Sequence, residues 1–131
     1  MSEPVSIADR RRAAIQHQRE AAKDLIYPLG ETIGALSKLM QSETEFIRKG
    51  DLKSAAALIE EKARLAGDYQ RQLSAVRDEA HWIGRVVPEH CRMLREALAE
   101  FQNVLSVNLA VVGTARAVHA DLLVLALRAK T

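Results

Sequence analysis

The chain is so sparsely punctuated that long helices are almost the only elements it can form. Three interruptions matter: Pro28, the pair Gly50-Asp51, and "GRVVP" at 84–88. Between them the apolar residues recur at alternating steps of three and four, the signature of a helical seam. The first seam runs Ala22, Ile26, Leu29, Ile33, Leu36, Met40, Glu43, Ile47. The second runs Leu52, Ala55, Ile59, Lys62, Ala66, Tyr69, Leu73, Val76, Ala80, Ile83, and the third runs Cys91, Leu94, Leu98, Phe101, Leu105, Asn108, Val112, Ala115, His119, Leu122.

A period of 3.5 held over several heptads predicts helices packed at shallow crossing angles. Second-row residues such as Leu25, Leu39, Phe46, Leu58 and Leu109 widen each stripe, which suits a bundle better than a two-stranded coil. The expected architecture is all-α: an elongated antiparallel bundle of helices over about 22–49, 51–83 and 89–128. Residues 1–21 are left as an arm, either frayed helix or disorder, with a further N-terminal helix as an option. Gly50 can take the left-handed conformation that closes the first helix, and Asp51 can cap the next. Pro28 predicts a kink or break, because a residue before proline is biased away from helical geometry. Pro88 suits the first turn of the third helix. Gly67 leaves the phase of its seam unchanged, so it is expected inside a helix.

Composition narrows the function. Lys and Arg number 19 against 17 Asp and Glu, and the only dense basic cluster is Arg10–Arg12. With aromatic residues at 4%, the chain lacks both the basic face and the stacking platforms of a nucleic-acid binder. The longest apolar stretch, 103–127, is broken by Asn108, Arg116, His119 and Asp121, so stable membrane insertion is not expected. The N-terminal residues lack the apolar core of a secretory signal, and the lone Cys91 fits a reducing compartment. A cytoplasmic protein is the expectation.

Catalytic chemistry finds no foothold. His90 and Cys91 are adjacent and so diverge on a helix, His81 and His90 are not an i, i+4 pair, and His119 has no ligand-type neighbour at helical spacing. There is no phosphate loop and no Glu-x-x-His pair. No catalytic residue, metal or cofactor is expected.

The polar residues on the seams say more. Reflecting the chain about Gly50-Asp51 brings Lys62 to within about one helical turn of the residues facing Glu43, so either the two pair and fix the hairpin register, or both snorkel to water. Asn108 and His119 interrupt the third seam, around which the sequence is apolar on nearly every face. Two other long helices cannot cover such a surface, and a large exposed apolar area marks a protein-binding site. The candidate partner-binding residues are Leu105, Asn108, Leu109, Val112, Ala115, His119, Leu122 and Leu123. The alternatives are self-association and burial by the N-terminal arm.

The segment "LGETIGALSKLMQSETEFIRKGDLKSAAALIEEKARLAGDYQRQL", residues 29–73, resembles the FlgN-type flagellar export chaperones. The likeness rests on a long amphipathic helix ending at "KGD", then Leu52, Leu58 and "EEKARL". It extends to "LREALAEFQNVLSVNLAVV", with Asn103 and Asn108 in a third helix, and spans about 25–127 in all. Departures are the extension carrying Arg10–Arg12 and the very apolar tail containing Gly113. The resemblance implies a cytoplasmic chaperone that keeps flagellar hook-associated (hook–filament junction) proteins soluble for type III secretion and delivers them to export-gate components. It implies client contact through the C-terminal part, by position 105–127. The competing reading is a structural or regulatory coiled-coil protein that homo-oligomerises without a client.

Overall fold

A computed structural model describes residues 6–129 and is an all-α bundle, with no strand among the described residues. Five helices follow one another: α1 Ile7–Arg48, α2 Leu52–Ala56, α3 Ile59–Asp78, α4 Ala80–Val86 and α5 Pro88–Ala129. The first and last, 42 residues each, are roughly 60 Å long. Between them α2, α3 and α4 return along the bundle as one interrupted strut.

The expected helix boundaries change in two places. Helix α1 starts at Ile7 and takes in most of the segment expected as an arm. Ser6 caps it by accepting from the Asp9 N–H at 3.1 Å. Nor does Pro28 interrupt it. Proline removes one donor, but Pro28 and Asp24, whose carbonyl loses that donor, are both exposed to water. Ala22, Ile26, Leu29 and Ile33 are buried on both sides of the proline, so packing holds the helix through it.

The second difference is that 51–83 is not one helix. At Leu58 and at Glu79 the backbone N–H bonds three residues back, to Ala55 and Val76, which tightens the turn and ends the α-pattern. The bend at Glu79 has a packing consequence. It turns Ile83 and then Val87 into a cluster with Ala22 and Ile26. Arg19 secures this end by donating from Nη1 to the Val86 carbonyl at 2.9 Å. Gly67 lies within α3, and α5 begins at Pro88.

At the other end the chain reverses between α1 and α2. Gly50 has φ +77°, the left-handed region, and the Asp51 N–H bonds to the Phe46 carbonyl at 2.8 Å. Asp51 then caps α2, accepting from the Ser54 N–H at 3.1 Å and from its hydroxyl at 2.6 Å. Those bonds, the hydroxyl foremost, lower the Asp51 pKa below the ordinary carboxylate value. The reversal makes α3 antiparallel to α1. Helix α5 runs parallel to α1, since Tyr27 meets His90 and Thr44 meets Asn108.

The main core lies midway along the bundle. Leu29, Ile33, Leu36 and Met40 of α1 pack with Leu65 of α3 and with Leu94 and Phe101 of α5. Phe101 meets Tyr69 with ring centroids 5.1 Å apart in a tilted arrangement.

Candidate functional site

One helical turn beyond the core toward the hairpin, polar side chains replace apolar ones. Lys62 Nζ lies 2.7 Å from Glu43 Oε1 and 3.0 Å from Asn108 Oδ1. On its other side the Asn108 amide nitrogen is 2.7 Å from Glu43 Oε1, 3.2 Å from the Met40 carbonyl and 3.3 Å from Thr44 Oγ1. The amide orientation follows from chemistry: a flip would set its NH2 against the ammonium and its oxygen against the carboxylate. Glu43, Thr44 and Asn108 are buried, with Asn108 0% exposed. Three helices are thereby tied at one level. A buried pair contributes little net stability, but removing either partner would leave an uncompensated buried charge.

Past this level the bundle opens. A groove of about 530 Å³ lies between the hairpin turn and α5, lined by Ile47, Arg48, Gly50, Leu52, Ala110, Val111, Thr114, Ala115 and Val118. A second, of about 380 Å³, shares Ile47, Leu52 and Ala115 and reaches Ile59, Val112 and Arg116 on the other side of α5. Helix α1 has ended by then, while α5 runs on past Val118 for about another 16 Å. Its described apolar side chains there stay exposed: Val118 52%, Leu125 59% and Leu127 67%.

The eight candidate residues fall into three groups. Leu105 and Asn108 face the bundle, Leu105 half-buried against the core and Asn108 inside the polar network. Val112 and Ala115 are half-buried in the groove walls, and Leu109 is 60% exposed. The side chains of His119, Leu122 and Leu123 lie outside the described residues. The pattern missed Ile47, Leu52 and Ile59, which the hairpin lends to the groove. Their signal was present: large apolar residues beside a turn, on seams whose polar members Glu43 and Lys62 already mark where the core ends. Thr44 was missed as the fourth member of the network, being one residue off the seam. Asn103, the other asparagine of the third helix, is exposed.

Residues 7–18 of α1 are exposed throughout, Ile7 and Ile15 among them. They project from the end where Arg19 meets Val86, more than about 35 Å along α1 from Glu43. They cannot fold back over the distal half of α5 in the same chain. Among the described residues no three His, Cys, Asp or Glu side chains gather as a metal site requires. No helix among the described residues is long and apolar enough to cross a membrane. Comparison with protein-family models, with curated proteins and with solved structures finds no match to this chain.

Proposed function

We propose that the protein is a cytoplasmic, non-enzymatic export chaperone that holds an apolar helix of a client against the open end of its bundle. The observation that carries this reading is the distal half of α5. Leu109, Val118, Val124, Leu125 and Leu127 are exposed along it, beside an apolar groove whose walls are already built. Exposed apolar surface of that extent along one helix favours a partner, and a helix lying in the groove is the simplest way to cover it. The client class rests on a separate support, the resemblance of residues 29–73 to the FlgN-type chaperones. It makes hook–filament junction proteins the clients and export-gate components the delivery point. No cofactor, nucleic acid or stable membrane insertion enters the mechanism.

The physical cycle is short. The client's apolar terminal helix is withdrawn from water by the groove, which prevents premature self-assembly. Release follows once the client is passed on, because so open a surface binds reversibly. Titrating the purified protein with the hook–filament junction proteins of its own cell tests this by calorimetry. A saturable complex lost in Leu109→Ser/Val118→Ser/Leu125→Ser, with helicity kept, supports the reading. No binding to any junction protein, together with a stable homo-oligomer dispersed by the same changes, supports the coiled-coil reading instead.

A further inference from the structure

The charged side chains that line the two grooves are unevenly matched. Among them, Glu43 and Lys62 neutralise each other at 2.7 Å. Two remain: Arg48 on the rim of the larger groove and Arg116 on the rim of the smaller. Both are exposed, and neither has an ion-pair partner among the described residues, whereas nearby Lys49 is paired with Glu45 at 3.4 Å. The shared apolar lining of Ile47, Leu52 and Ala115 is thus accompanied by Arg48 in one groove and Arg116 in the other, while the Asp51 carboxylate between Gly50 and Leu52 is engaged by Ser54.

We infer that the open end selects an amphipathic partner helix whose apolar stripe is bordered by carboxylates. This deepens the proposed function and rests on it: the groove supplies the affinity, and the two arginines supply the choice. A carboxylate arriving beside either guanidinium gains a charge-assisted contact at the rim. A lysine arriving there meets like charge, which is costly to bring together. The same argument disfavours a second copy entering by its exposed residues 7–18 of α1, because Arg10, Arg11 and Arg12 would be carried toward Arg48 and Arg116.

Two fluorescein-labelled, hydrocarbon-stapled helical peptides provide the test. They share one Leu/Ile stripe and differ only in its borders, Glu in one and Lys in the other. Anisotropy titration of the full chain at low salt is expected to favour the Glu-bordered peptide by about tenfold or more, with the preference shrinking as salt rises. Arg48→Glu/Arg116→Glu should reverse the order, and Arg48→Gln/Arg116→Gln should erase it, should charge reversal disturb folding. Equal binding of both peptides, or a preference unmoved by either double variant, overturns the charge inference and leaves the groove reading standing. Failure of both peptides to bind overturns the groove reading and the inference with it.

Discussion

The two halves of α5 share a helix and an apolar composition but not a fate. From Leu94 to Asn108 its inward side chains are covered by α1 and α3, with Phe101 2% exposed at the centre. Beyond Asn108, Leu109, Val118, Val124, Leu125 and Leu127 face water, and Val111, Val112 and Ala115 are only half-buried. The local sequence changes, from an amphipathic pattern carrying Glu89, Arg92, Arg95, Glu96 and Glu100 to a run whose only charged residues between 109 and 127 are Arg116 and Asp121. The supply of neighbours changes as well: α1 stops at Arg48, and the hairpin turns back before it can cover the rest. Apolar side chains form a core only where partner helices reach them.

The largest expected contrast therefore comes from truncating the same helix on each side of Asn108. Phe101→Ala should cost about 3–5 kcal/mol in denaturant unfolding, from lost burial and the cavity left behind. Leu125→Ala should stay within about 0.5 kcal/mol, as exposed positions do. Equal costs would mean that the distal half is packed in solution. The boundary itself comes next. Lys62→Ala leaves Glu43 buried without its cation and should cost about 3 kcal/mol. Glu43→Leu/Lys62→Met/Asn108→Leu should recover most of that loss and relax the register between α1 and α5, measurable as broader distances between spin labels on the two helices.

A smaller effect is expected at the turn that ends coverage. Gly50→Val forces a β-branched residue into the left-handed region and should cost roughly 1–2 kcal/mol. An unchanged unfolding midpoint would contradict that conformation. The smallest effect concerns pH. The folded pKa of Asp51 lies below its ordinary value because Ser54 donates to the carboxylate. Its contribution is therefore complete above the unfolded pKa and fades as pH falls through the folded one. Asp51→Asn keeps an acceptor without the titration, so it should flatten the acid limb of the unfolding curve slightly. An identical acid limb would remove the charged cap from the account.

The sequence made some of this legible and hid the rest, for identifiable reasons. The seam spacing was enough for an all-α bundle. The Gly50-Asp51 turn fixed the pairing of α1 with α3, so Glu43 and Lys62 could be matched by reflection. Asn108 stood out as polar on an apolar seam, but its partners lie 64 to 68 residues away on α1 and no turn encodes that pairing. The interruptions at Ala57-Leu58 and Glu79 carry no glycine or proline, and the second accompanies the inward packing of Ile83 and Val87. Pro28 misled in the opposite direction, its local preference overridden by buried neighbours on both sides. The groove was half legible: the α5 wall shows in the apolar run, whereas the wall of Ile47 and Leu52 needed the hairpin to be built.

Hydrogen–deuterium exchange along α5 tests the central claim most directly, because amide protection tracks local packing. In the free monomer, amides of 110–127 should exchange far faster than those of 94–108, and a bound client helix should slow the distal set selectively. Equal protection of both halves in the free monomer would show that the distal surface is already covered and would contradict the account.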